Sequence, residues 1–488
     1  MIKTHPTRTR ARSRAGLGTN HTVVYTVKFL GRALRLEGRL TNRSSIRTST
    51  SAKAWALRRS IFFLAVLFCA LQSTRAQNAA LPSLLPTVPQ RDYLAGDYDG
   101  IRTRLYAQGI DLFANYQGEV FGNLNGGAIL DSLDQTRQVA SYDGLLSFGA
   151  TLDLGKLIGW PGAKFYFSAL EMHGSSLTHE SLGDIAGFSN IYGYNTIRLG
   201  EVYLEQSFFD NQLRIQAGQM LSHDDFFGNS YEELFINGTL DEFTLLSANL
   251  PYSPLFPMAT PGVEVDLEPG KTVFLKAALF SGSVEAQDVN RHSVDFPISK
   301  NTGAFIFSEV GFHVNSDNGG LPGTYTAAAF YHTGTLADVG YRPDAVKDGD
   351  YGIFFMGDQM VWRQNNEPGK KGPAIGLWSR IGGAPAERNL VAFYADGGVS
   401  LLAPLPGRND DVLAIGAACS KVSHHASEYN QATGGQPLST ESVLEVTYNL
   451  QLAPWWQLQP DFQYYLKPSA GIHAANAAVI GLRTTVTF

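Results

Sequence analysis

The sequence predicts an all-β protein: a transmembrane antiparallel β-barrel of about 16 strands with a short N-terminal helix. Three observations carry this. Extended segments alternate apolar and polar side chains with a period of two, which puts one face in lipid and the other in a wet lumen. The connections between them alternate between long and short, as they must when long loops gather on one rim and turns on the other. Finally, the one long uncharged apolar run, Ile61 to Leu71, is eleven residues, whereas a spanning helix needs about 20.

Composition agrees. In 488 residues, 17% are charged, 11% are aromatic and 50 are glycine, a mixture suited to many strands, tight turns and interfacial aromatic girdles. One large barrel can absorb this whole length. Residues 1 to 76 hold 15 of the 38 Lys and Arg and one of the 44 acids. The rest therefore sets 23 basic against 43 acidic residues, a net charge of −20. That field disfavours nucleic acid as a partner and argues against a pore built mainly for anions. Of the two cysteines, Cys69 lies in the apolar leader, so Cys419 has no partner for an internal disulfide.

In chain order, residues 1–57 form a basic, aperiodic leader. No methionine occurs between Met1 and Met172, so a later start would use a Val or Leu codon, for example near Leu57. Residues 58–76 read as a secretory signal peptide: Arg58 and Arg59, the apolar run, then a small-residue site at Thr74 to Ala76. A short membrane anchor is the competing reading, disfavoured by the length of the run. No acylated cysteine follows, so a lipid anchor is not expected. Residues 77–109 are a Pro-rich linker and a short periplasmic helix, Asp99 to Gln108, ended by Gly109. Residues 110–488 form the barrel.

Strands are expected near 110–124, 142–154, 163–172, 197–208, 212–220, 261–268, 271–280, 304–314, 323–332, 350–362, 373–382, 389–401, 411–423, 441–452, 455–466 and 477–488. The first sets Ile110, Leu112, Ala114, Tyr116 and Val120 outward, with Asp111, Asn115, Gln117 and Glu119 inward. In 455–466, Trp456, Leu458, Phe462, Tyr464 and Leu466 oppose Gln457, Gln459, Asp461, Gln463 and Tyr465. The faces of 163–172 and 350–362 are ambiguous. An even count returns both ends to the same side. Long loops fall at 125–141, 173–196, 221–260, 281–303, 333–349 and 424–440.

Several stretches resemble the carbohydrate-selective porins of bacterial outer membranes (OprB type). They are Leu94 to Leu105, Gly109 to Asp111, Gly118 to Leu124, Glu201 to Gln206, Arg214 to Gln219, Phe235 to Gly238, Ala259 to Val263, Pro406 to Arg408, Leu444 to Tyr448, Gln459 to Tyr464 and Gly481 to Thr484. The likeness spans roughly residues 92 to 488. Where the family commonly has Trp-Gly, this chain has Tyr98-Asp99. The resemblance implies a sixteen-stranded barrel that passes sugars by facilitated diffusion.

Two sets of residues are candidates for meeting the solute. The longest loop, Leu221 to Thr260, mixes acids and aromatics, including Asp224, Asp225, Phe226, Phe227, Glu232, Phe235, Asp241, Glu242 and Phe243. Sugar hydroxyls want paired acceptors and donors, and sugar C–H faces stack on rings. A solvated surface loop is the plainer alternative. The second set is expected inward near mid-wall: Glu119, Asp143, Glu201, Tyr203, Glu205, Arg214, Gln216, Glu264, Asp266 and Arg483. Facing acids and arginines would set a transverse field, while structural lumen ion pairs are the plainer reading of each.

No catalytic set emerges. Asp224-Asp225, Glu232-Glu233 and Asp410-Asp411 are adjacent acids with nothing fixing a glycosidase separation. His424-His425 lacks a zinc spacing, and no calcium loop or phosphate-binding loop occurs. No cofactor or metal is expected. The expected partners are permeating sugars and outer-membrane lipids, and the assembly is left open between monomer and homotrimer. A passive outer-membrane sugar porin leads. A general diffusion porin, a barrel enzyme such as a lipase and a soluble secreted all-β protein are the alternatives.

Overall fold

The structure, a computed structural model, describes residues 91–129, 136–185, 187–223, 225–250, 253–283, 289–315, 319–337, 346–365 and 371–488. The expected leader, signal peptide and most of the linker lie outside these residues, as does Asp224.

Chain entry is built by local capping. Helix α1 (Ile101–Gln108) ends at Gly109 in the left-handed region, φ 97°, its N–H returning to the carbonyls of Leu105 and Tyr106. Asp97 accepts from the N–H and the hydroxyl of Thr103, each at 2.8 Å.

Sixteen strands follow: β1 (Ile110–Gly127), β2 (Ala140–Asp153), β3 (Ala163–Gly174), β4 (Thr196–Phe208), β5 (Leu213–Met220), β6 (Thr260–Leu267), β7 (Val273–Ser281), β8 (Ala304–Val314), β9 (Gly323–Ala337), β10 (Val346–Arg363), β11 (Ala374–Gly383), β12 (Val391–Leu402), β13 (Val412–Val422), β14 (Thr440–Ala453), β15 (Trp456–Leu466) and β16 (Ala475–Thr487). Each pairs antiparallel with its sequence neighbour, and β1 pairs with β16 to close the barrel. Closure satisfies every strand edge, without which the backbone could not sit in lipid. The expected strands differ from these mainly by a few residues at their ends, the largest extensions being at β9 and β10.

The segment that leads into β1 is tied to the C-terminal end of β16. Leu94 N–H donates to the Thr487 carbonyl at 2.8 Å and Phe488 N–H to that of Ala114 at 2.9 Å. Arg102 donates to the Phe488 oxygen at 2.7 Å and to the Leu112 carbonyl at 2.8 Å, its guanidinium 3.8 Å above the Tyr93 ring.

The period-two rule holds on the lipid face, where Val120, Phe462, Leu466, Ile480 and Leu482 are exposed while Glu119, Gln463 and Arg483 are buried inside. Inside, it needs correction. Phe121, Phe280, Phe305, Phe307, Phe330, Phe354, Trp378, Tyr394 and Tyr465 also point inward and are buried. The lumen is not a uniformly wet cylinder, because loop 221–259 enters it and these rings form the wall it packs on. The same cause resolves the ambiguous faces. On β3, Leu170 and Met172 turn inward against Leu145 and Ile191. On β10, Phe354 and Met356 turn inward to the larger cluster that holds Phe305, Phe330 and Trp378, leaving Ile353 and Phe355 exposed.

The wall is low at β5, β6 and β7, of 8, 8 and 9 residues. The loop after β7 fills the gap beside β4: Leu199 N–H donates to the His292 carbonyl at 2.9 Å, and Gln219 donates to Ser293 Oγ at 2.8 Å.

Candidate functional site: the constricted lumen

The loop between β5 and β6 contains two short helices, α2 (Gly238–Asp241) and α3 (Thr244–Ser247). It is fastened to opposite sides of the barrel. Near its start, Leu221 N–H donates to Glu201 at 2.8 Å, and Phe227 N–H to Glu309 on β8 at 2.9 Å. Further on, Ile236 and Asn237 N–H donate to the Glu445 carboxylate on β14 at 2.7 and 3.0 Å, and Asn237 Nδ2 to Gln463 on β15 at 2.9 Å. On the far side, Asn249 exchanges two hydrogen bonds with the Val391 backbone at 2.7 and 2.8 Å. The stretches that carry the family resemblance thus meet one another: Phe235 to Gly238 rests on Leu444 to Tyr448 and Gln459 to Tyr464.

Arg380 on β11 is the loop's central anchor, and the sequence reading missed it. Its Nε and Nη2 reach Asp396 Oδ2 on β12 at 3.0 and 2.6 Å. It also donates to loop carbonyls, those of Phe227 at 3.3 Å, Asp241 at 3.2 Å and Leu240. Its guanidinium lies 5.3 Å from the Phe243 ring centroid and 5.6 Å from that of Trp378. The side chain is fully buried, so only this complete set of acceptors makes the charge tolerable. Glu232, 4.0 Å from Arg380, caps the turn at Asn229 N–H with both oxygens at 2.6 Å. Burial raises its carboxyl well above the ordinary range, and Arg380 opposes the rise.

Five of the other expected residues gather around Arg214. Its Nη2 lies 2.5 Å from Asp225 on the loop, 3.2 Å from Asp266 and 4.0 Å from Glu264 on β6. Its Nη1 lies 3.8 Å from Glu205 on β4. Gln216 donates to Glu205 at 3.1 Å. Strand register supplies the reason: Arg214 opposes Asp266, and Gln216 opposes both Glu264 and Glu205. Lys164 extends the network to Glu205 at 3.0 Å. Lys276, directly across from Asp266 and Glu309, donates to the Asp225 carbonyl at 2.6 Å. Lys164, Lys276 and Glu309 were not among the expected residues, although inward alternation could have found them. A polar cavity of about 280 Å³ lies here, lined by Lys164, Glu205, Ser207, Asn211, Arg214, Asp266 and Glu268. Its turn residues correct the mid-wall expectation for this group: Arg214 is the second residue of β5, so the network sits toward the rim that carries the short β4–β5 turn.

A second group lies on the neighbouring stretch of wall, centred on β1, four strands around the ring from β5. Arg483 on β16 donates to Glu119 on β1 at 2.8 Å and to Asn190 of the 175–195 loop at 2.6 Å. Asp143 on β2 directly opposes Glu119 and is buried. Glu201 holds the loop start, and Tyr203 stacks on Tyr166, centroids 4.9 Å apart. Phe226 and Phe227 belong to neither group. They are buried against Phe307, at 5.6 and 4.7 Å, and Phe227 also against Phe354 at 5.3 Å. Their rings pack the loop onto the wall and are not presented to a solute, contrary to the expectation for them. The loop's aromatic content was legible, but its target wall was not.

Comparison with known proteins agrees with this architecture. The chain is 23% identical over 432 residues to Porin B of Pseudomonas aeruginosa, covering 82% of this chain and 92% of that protein. It is 24% identical over 427 residues to the putative porin QuiX of Acinetobacter baylyi, covering 82% and 93%. The fold matches the high-pH structure of Pseudomonas putida OprB with a TM-score of 0.74 and 21% identity, over 83% of this chain and all of that one. The sequence model of the carbohydrate-selective porins, OprB family, matches residues 137–488, and the chain belongs to that family.

Proposed function

We propose that mono- and small oligosaccharides diffuse passively into the periplasm through the part of the lumen left beside loop 221–259, and that the Arg214 network is the constriction they touch. The family and the barrel fold are those of an outer-membrane carbohydrate porin and support a channel. The observation that carries the finer reading is the convergence of Glu205, Arg214, Gln216, Asp225, Glu264 and Asp266 at hydrogen-bonding and ion-pairing distances around one cavity. Opposed fixed charges offer a neutral polyhydroxylated solute donors and acceptors at once, with little gain for an apolar or singly charged one.

On this reading Glu119, Asp143 and Arg483 line the adjoining stretch of wall, and Glu201 and Tyr203 connect the two groups. Residues 58–76 act as a removable signal peptide, residues 77–109 as linker and periplasmic helix, and 110–488 as the conducting unit. The barrel works in outer-membrane lipid as a monomer or a homotrimer. Liposome swelling by monosaccharides and by amino acids of equal size tests the selectivity: faster swelling with sugars is expected, and equal rates would leave only a general diffusion pore.

A further inference from the structure

We propose that three rings on the inner wall, Phe113, Tyr166 and Tyr203, form a seat for the apolar C–H face of a pyranose, so that the channel distinguishes a cyclic sugar from an open-chain polyol of the same size. The inference rests on the carbohydrate-porin reading above and deepens it by naming the ring form as what is recognised.

Phe113 and Tyr166 lie nearly parallel, 8° between planes and 5.7 Å between centroids. Tyr166 and Tyr203 are 4.9 Å apart at 23°. The rings come from β1, β3 and β4. Tyr166 and Tyr203 are direct register partners. Phe113 has a whole strand between it and Tyr166, and reaches across because its β2 partner is Gly149. A Cβ on Gly149 would stand 2.8 Å from Phe113 Cζ, so the missing side chain is what lets the strip run unbroken over β2.

These rings differ from the other inward aromatics. Phe226, Phe227, Phe235 and Phe243 are at most 3% exposed and consumed in packing, whereas Phe113, Tyr166 and Tyr203 are only half-buried. They also adjoin the charged network, since the next inward pair along β3 and β4 is Lys164 and Glu205. One side of the path therefore carries a row of stacked, half-buried rings, and the adjoining side carries donors and acceptors. A pyranose has both complements, a flat C–H face and a rim of hydroxyls. A linear polyol has the hydroxyls without the face.

The test is current block in planar bilayers by D-glucose and by D-sorbitol, with liposome swelling by glucose run in parallel. Wild type is expected to be half-blocked by glucose at several-fold lower concentration than by sorbitol. F113L and Y166L should raise the glucose value by roughly three- to tenfold, the worth of one aromatic contact, without an equal rise for sorbitol. Y166F keeps the ring and should retain the discrimination. F148L, on the lipid face of β2, is the control. Folding of each variant is read from heat-modifiable migration, and if Y166L does not fold, F113L alone decides. Equal block of wild type by the two solutes, or variants that shift both equally, overturns the seat while glucose swelling leaves the porin reading standing. Wild type that fails to swell in glucose overturns both.

Discussion

Arg380 and Asp396, on adjacent strands in direct register, form a wholly buried pair whose guanidinium also carries the loop that narrows the lumen. A charge in this position is tolerable only while every donor is engaged, so the pair acts as a latch: the wall is complete when the loop is docked.

Arg380→Ala should release the loop from the inner wall. Breaking one side of a buried pair costs about 3–5 kcal/mol, enough to undock a loop while the strand ladder holds the barrel. Single-channel conductance is expected to rise, with weaker block by sugar. Arg380→Lys keeps the charge but loses the fork that serves Asp396 and the carbonyls together, and should fall between. Wild-type conductance in both variants would remove Arg380 from this role.

Arg214→Ala leaves Glu205, Asp225, Glu264 and Asp266 facing one another without their shared cation. Cation preference, read as the reversal potential in a salt gradient, should increase, and sugar block should weaken. Asp266→Asn moves the potential the other way. A reversal potential indifferent to both substitutions would show that ions do not pass this network.

Asp184, in the 175–195 loop, is buried, and burial raises its carboxyl from 3.8 to about 6. Glu441 faces it, accepting from the Ile185 and Ser469 N–H groups. Because the folded value lies above the unfolded one, the docked loop binds the proton more tightly. Docking is then strongest below about pH 4 and weakens as pH rises through about 6. Proteolysis or hydrogen exchange of residues 175–195 should follow that course, and Asp184→Asn should flatten it.

Arg102→Ala removes two hydrogen bonds, one to the Phe488 oxygen at the chain terminus and one to the Leu112 carbonyl, together with the stacking on Tyr93. A loss of about 1–3 kcal/mol should lower the temperature at which the folded band disappears in unheated electrophoresis. Conductance of the molecules that fold should be unaffected, since the clamp lies outside the lumen.

The sequence by itself determined the barrel. Alternation at Gln457 to Leu466 and at Ala478 to Phe488, repeated through sixteen segments, is a local consequence of strand geometry between lipid and lumen, and it located each strand to within a few residues at most ends. It also named Glu205, Arg214, Gln216, Glu264 and Asp266, as polar residues on the inward side of their strands, and Asp225, as an acid of the longest loop. Only the tertiary structure decided which of these meet, since contact depends on register between strands and on where the loop lands. For the same reason Phe226 and Phe227 read as open platforms and are buried anchors, whereas Phe113 and Tyr166, separated by a full strand and joined over Gly149, did not read as a pair. Alternation reports which way a side chain points. What stands opposite it is fixed by the closing of the barrel and the folding of the loop into it.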